Sequence, residues 1–294
     1  MTGFAGRLKV NRPLRIAVLA VTFVLPLTNV LSGAIVVLMA RAAGARTAAI
    51  DVGAASALLA VLVQLTNGSP TMAAIGAGAL WGGALVSGLL LRRFRSVDLA
   101  AQLLVLLAVS GVLLASAVIP DARAHWQPLL EALIHAAGLP QVNGLPDGWL
   151  ATLAALMHGV IGASLLSTLL MAVVLGLWLD PEGEGAEWRR RCLQLRLGRV
   201  LSIGLALAVV LMLAGSVALG GGLLIVFGTG FAAQGLAVLH WTAEERAWPR
   251  IWPLALYGLL LLGAPVAGFL LLALALAGVV DNGVSLRRQR RDVV

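Results

Sequence analysis

The chain encodes an all-α fold, a polytopic transmembrane helical bundle of about eight apolar segments, and three observations predict it. Sixty per cent of the 294 residues are apolar and 12% are charged, against roughly 45–50% and about 25% in an ordinary globular domain. The apolar residues collect in runs of about twenty, the length that crosses a hydrocarbon core of about 30 Å. The basic residues fall in short clusters between those runs. With a mean hydropathy of +0.98, a soluble fold would have too few charges to cover its apolar surface. A cytosolic globular enzyme, a disordered chain and a fibrous protein are excluded. The single cysteine, Cys192, excludes a disulfide framework and a multi-cysteine metal site.

Residues 1–294 read as a single integral-membrane domain. Residues 1–13 are polar and basic, without a small-residue cleavage site after a short apolar core, which predicts a retained cytoplasmic N-terminus. The apolar stretches are 14–40, 47–65, 70–91, 97–119, 150–179, 200–218, 221–241 and 251–280. Thr66-Asn67-Gly68-Ser69-Pro70 and Gly220-Gly221-Gly222 are expected to be tight turns, since glycine and proline punctuate such patterns. Stretch 150–179 has no central proline and is expected to be one long helix.

Charge parity bears on the two end stretches. Of the 21 basic residues, 20 are arginine, and cations concentrate on the cytoplasmic side of membrane proteins. If 14–40 is one helix, Arg41, Arg46 and the Arg92-Arg93-Phe94-Arg95 cluster fall outside. If Pro26 breaks it, they return inside. A second break at Gly263-Ala264-Pro265 brings Arg287, Arg288, Arg290 and Arg291 inside too, leaving Arg123 alone on the outer face. Eight to ten segments result, depending on these breaks. Half-segments of 13–15 residues are too short to span, but can pair as a re-entrant hairpin if protein surrounds them. The alternative is a tilted, proline-kinked helix at each end. Tryptophans agree with this layout: Trp178, Trp188, Trp241, Trp248 and Trp252 lie near the inner interface, and Trp126 and Trp149 flank the outer one. Trp81 alone lies deep in a span.

Three non-membrane segments follow. Residues 120–149 form an outer loop in which Trp126, Leu129, Leu130, Leu133, Ile134 and Ala137 recur at helical spacing, opposite Arg123, Gln127 and Glu131. That pattern predicts a short amphipathic helix lying on the membrane or lidding a cavity. Pro140, Gly144 and Pro146 mark an irregular approach to the next span. Residues 180–199 read as a cytoplasmic, solvated or interfacial connector, and 281–294 as a basic cytoplasmic tail.

Polar residues inside spans are expensive and mark candidate sites. His158 and Gln234 are the deepest, and with Asn29 and Gln64 they are the candidate ligand-binding residues. Asp51, Asp98 and Gln102 lie near helix starts, where a carboxylate also serves the helix dipole. Gly78 and Gly82 make a small face that lets helix backbones approach. No phosphate-cradling G-x-x-x-x-G-K-[ST] loop, H-E-x-x-H pair or G-x-S-x-G elbow occurs, and no carboxylate in the same span orients His158. No enzyme activity, cofactor or metal is therefore read from the sequence. The scattered arginine clusters fit anionic lipid headgroups rather than nucleic acid.

The last sixty residues carry the most individual pattern: Gln234-Gly235-Leu236-Ala237-x-x-His240, then Tyr257, then Asp281-Asn282 before Leu286-Arg287-Arg288. This order resembles the YybS-like family of polytopic bacterial inner-membrane proteins, whose members tend to end in an acidic-to-arginine tail after a Gln-Gly-Leu-Ala helix. The chain departs from that pattern at Gly283, where a bulky aromatic is expected. The family's layout is similar to the substrate-binding membrane subunits of energy-coupling-factor vitamin transporters and to small rod-shape membrane proteins. The resemblance implies an outer solute pocket under loops, with ATP hydrolysis supplied by a separate protein.

Three functional readings follow. One is a small-solute-binding transport component without its own ATPase, with His158, Gln234 and the outer segment around a pocket. The alternative is a non-catalytic scaffold for cell-envelope assembly that holds other membrane proteins on small-residue faces. A membrane enzyme would require His158 or His240 beside a carboxylate in one cleft. Asp281 is expected either to pair with a tail arginine or to begin a plain solvated tail.

Overall fold

The computed structural model describes residues 4–25, 28–66, 68–138, 148–180, 187–249, 251–261, 263–284 and 286–287. All regular structure among them is helical. In chain order the helices are α1 (Phe4–Val10), α2 (Arg12–Val24), α3 (Asn29–Ala42), α4 (Ala45–Leu65), α5 (Pro70–Phe94), α6 (Val97–Val118) and α7 (Ala122–Ala136). They continue with α8 (Trp149–Trp178), α9 (Glu187–Leu193), α10 (Gly198–Leu213), α11 (Val217–Glu245), α12 (Ile251–Leu260) and α13 (Ala264–Val284). Counting α9 and α10 as one interrupted element, seven among the described residues are long and apolar enough to cross a membrane. The chain is a polytopic helical membrane bundle.

Both end stretches are broken, and the two breaks differ. At the N-terminus α2 stops at Val24 and α3 starts at Asn29; Pro26 itself lies outside the described residues. Ser32 donates to the Leu19 carbonyl (3.0 Å) and Thr28 to that of Thr22 (2.8 Å), closing a hairpin. Its two ends return to one place, because Lys9 before α2 and Arg41 at the end of α3 both bond Asp180. The nine residues Ser32–Ala40 are all buried. A helix too short to span is thus wrapped by protein on every side, the condition for such an element at membrane depth. Trp81, deep in α5, is 0% exposed and donates its indole N–H to Ser32 (2.7 Å), tying the hairpin to the bundle.

At the C-terminus the halves are unequal. α12 has ten residues, whereas α13 has 21, enough to cross alone. The break lies where the sequence placed it, at Gly263 (φ +123°), but α13 runs on past residue 280 to Val284, so the second half is a full-length helix rather than a short one.

Two further expectations are corrected. Gly220-Gly221-Gly222 is not a turn but lies near the start of α11. The turn lies earlier, at Gly215 (φ +91°), a backbone conformation open to glycine. The glycine triplet serves packing instead: a Cβ on Gly159 of α8 would collide with the Gly222 backbone, so these two helices touch backbone to backbone. Residues 187–199 are also more than a solvated connector, since they hold α9 and the buried junction described below. The break expected at Thr66-Asn67-Gly68-Ser69-Pro70, by contrast, lies between the end of α4 at Leu65 and the start of α5, where Ser69 caps the helix and Pro70 holds its first position; Asn67 lies outside the described residues. α8 runs unbroken for 30 residues.

Candidate functional site

Most polar residues inside the bundle lie at the arginine-rich end. Arg92 closes α3 by donating to the carbonyls of Arg41 and Ala42 (3.2 Å each). Asp51, 1% exposed, accepts from Arg12 and Arg15 at 2.8 Å each. Asp98 opens α6 just after Arg95, and its carboxylate turns inward to the α9–α10 junction.

That junction is an interruption at residues 194–197, where backbone groups lose their helical partners. Leu195 and Leu197 are buried, so each of these groups must be met by something else. The Arg196 N–H donates to Asp98 (2.9 Å) and its carbonyl accepts from Gln102 (3.1 Å). The Leu197 N–H donates to the Gln234 side-chain oxygen (2.9 Å). The Leu195 carbonyl accepts from Arg287 Nη2 (2.7 Å) and the Leu193 carbonyl from Nη1. The Gly198 carbonyl accepts from Asn282 (2.9 Å). Three helices, α6, α11 and α13, thus supply side chains to one broken element. Gln234 also donates to Asp281 (2.9 Å), and Asp281 pairs with Arg287. Asp281 is 0% and Arg287 7% exposed. Of the two expectations for Asp281, the structure gives the pair with a tail arginine.

Of the residues singled out near the C-terminus, Gln234, Asp281 and Arg287 form one hydrogen-bonded brace. Gly235 sits where α11 and α13 meet, since a Cβ there would strike the Leu274 carbonyl. His240 and Tyr257 hydrogen-bond to each other across α11 and α12 (2.7 Å).

The other candidate site is at the far end. α7 begins at Asp121, whose side chain caps the Ala124 N–H (2.9 Å), and a ladder from Arg123 to Gln127 to Glu131 lines its polar face. Its apolar face is divided. Trp126, Leu130 and Ile134 are half-buried, whereas Leu129 and Leu133 are 53% and 65% exposed. Trp126 reaches His158, with ring centroids 6.2 Å apart and nearly perpendicular. His158 is 7% exposed, and its Nδ1 lies 3.5 Å from the Ser116 hydroxyl. Its Nε2 and the Trp126 Nε1 are buried with no hydrogen-bond partner among the described residues.

The pocket expected from sequence combined His158 with Gln234, and the structure separates them. His158 adjoins Gly159, which packs on Gly222; Gln234 is twelve residues, about 18 Å, farther along α11 and fully occupied. Asn29 begins α3 half-buried, and Gln64 is exposed at the end of α4, so neither joins either cluster. A Cβ on Gly78 or Gly82 would meet nothing within 4 Å among the described residues. Two cavities, an apolar groove between α11 and α12 and a polar depression along α7, contain neither His158 nor Gln234. Pro140, Gly144 and Pro146 lie outside the described residues. Sequence reasoning missed Ser116, the partnership of Trp126 with His158, and the α9–α10 break. The break had one local signal, Gly198 (φ +79°) after Leu-Gln-Leu-Arg-Leu.

Compared with known proteins, the chain matches no family model, no curated protein and no solved structure.

Proposed function

We propose that this is a multi-pass inner-membrane protein, N-terminus cytoplasmic, that serves as the small-solute-binding component of a transporter and takes its ATP hydrolysis from a separate protein. One observation carries the reading: two buried polar atoms at the arginine-poor end, His158 Nε2 and the Nε1 of Trp126 on the amphipathic α7, have no hydrogen-bond partner among the described residues. Buried polar groups are paired in the great majority of structures, and an unpaired one calls for an explanation. A solute supplies it. The indole N–H is a donor only, and the imidazole nitrogen takes either role, so the site suits a small molecule with a carbonyl or ring nitrogen beside a second polar group. Gln234, held by its own network, leaves the pocket, and α7 must lift to admit a ligand. Kinship with the YybS-like proteins is proposed with this reading, on the Gln234-to-Arg287 order.

Native mass spectrometry of the protein from its own membranes tests the proposal. Wild-type protein is expected to release a small molecule of one mass, and His158→Ala and Trp126→Phe to lose it while keeping their helical content. At about 100 times its Kd, that compound stabilises the wild type by about 2.7 kcal/mol. Wild-type protein that carries no small molecule, or variants that retain it, would sink the reading.

A scaffold role is the second reading, favoured by the uncovered Gly78–Gly82 face of α5. It supposes another membrane protein against that face.

A further inference from the structure

We propose that Asp281 and the carbonyls of Leu193 and Leu195 form a guanidinium-binding site, and that Arg287 is the chain's own ligand in it. The oxygens come from different elements. The break after α9 frees two carbonyls, and α13 brings a carboxylate that is 0% exposed. Arg287 fills the space between them, with Nε toward one carboxylate oxygen (3.3 Å) and Nη2 toward the other. This is the fork geometry in which a planar guanidinium meets a carboxylate side-on, with N–H groups left over for the two carbonyls.

The site does not depend on Arg287 for its shape. Gln234 orients Asp281 and is itself fixed by the Leu197 N–H. The junction is pinned independently by Asp98 and Gln102 at Arg196, and by Asn282 at Gly198 and Ser202. Deleting the Arg287 side chain therefore leaves a built cradle with a buried negative charge and two acceptors facing it. Interrupted membrane helices use such freed carbonyls to hold cations; here a tethered side chain holds that place. The ligand class is a small guanidinium compound. Ammonium or an alkali ion has the charge without the fork.

The test is thermal unfolding of full-length Arg287→Ala in lipid nanodiscs, titrated with guanidinium chloride to about 20 mM, far below its denaturing range. Sodium chloride and urea serve as matched controls. Arg287→Ala is expected to unfold earlier than wild type and to regain roughly 2–4 °C with guanidinium alone, the shift of a ligand bound only to the native state. Wild type, whose site is filled, and Arg287→Ala/Asp281→Asn, whose site lacks its charge, are expected not to respond. Should Arg287→Ala be recovered only when guanidinium is present during purification, that also supports the site. Should it be recovered under neither condition, Arg287→Gln takes its place in the titration. Equal responses to guanidinium and sodium, or no guanidinium response by Arg287→Ala or its replacement, would overturn the proposal.

Discussion

Asp51 accepts from two arginines, and Arg15 is as buried as its partner: their side chains are 4% and 2% exposed. Arg15 also donates to the Leu8 carbonyl (2.7 Å), so its guanidinium ties α1, α2 and α4 together. Removing one member of a buried pair leaves an unneutralised charge and costs about 3–5 kcal/mol, whereas replacing both with apolar groups is often close to neutral. Asp51→Leu is therefore expected to lose that much stability in equilibrium unfolding. Arg15→Met/Asp51→Leu should regain at least half of it, held short of wild type by the orphaned Leu8 carbonyl. A double variant as unstable as Asp51→Leu would assign the loss to something other than the stranded arginine. At this scale the sequence was legible where charge was concerned. Asp281, six residues before Arg287 in a basic tail, was marked for an arginine pair, although a plain solvated tail stood beside that expectation until the burial of both groups decided it. It was illegible where neutral groups meet across helices, as Ser116, Trp126 and His158 do, because no periodicity links three different elements.

Elements were read well where they are long and apolar, and misread where glycine has two uses. Gly220–Gly222 resembles a turn because glycine lacks a Cβ, and that same lack lets α11 touch α8. Only the partner helix distinguishes the two. A Cβ on Gly78 or Gly82, chosen for their spacing, would meet nothing within 4 Å among the described residues, while Gly159, which stands at the same small-residue spacing from Ala155 and Ala163 but was not singled out, meets the Gly222 backbone. The contrast gives a prediction with two directions. Gly159→Leu forces α8 and α11 apart and is expected to cost roughly 3 kcal/mol, the upper part of the overpacking range. Gly78→Leu/Gly82→Leu adds side chains in open space and is expected to leave the unfolding midpoint unchanged. If the α5 face holds a partner, the same double variant should lose a membrane protein that co-purifies with the wild type. Retention of every partner at unchanged stability removes the scaffold reading from this face.

For the molecule as a whole, the decisive question is which end faces which compartment, and the N-terminal hairpin bears on it directly. Were residues 14–40 a single spanning helix, Lys9 and Arg41 would lie on opposite sides of a hydrocarbon core about 30 Å thick. Both instead bond Asp180, at 2.6 and 3.2 Å. The parity inferred from arginine counting therefore has a geometric basis, and it gathers Lys9, Arg41, Arg92 and Arg287 at one end while Arg123 stands on α7 at the other. What composition could not reveal is why α3 tolerates being short: its neighbours α5 and α8 enclose it, and only the assembled bundle contains them. In a Cys192→Ser background, single cysteines at exposed positions test the orientation. Val10→Cys and Arg93→Cys belong to the arginine-rich end, and Thr66→Cys and Ala137→Cys to the other. With cations held inside, an impermeant maleimide on intact spheroplasts should modify only Thr66→Cys and Ala137→Cys, with the other two reacting after lysis. Modification of Val10→Cys before lysis would invert the bundle, turn the His158 site toward the cytoplasm and remove uptake from outside as its role.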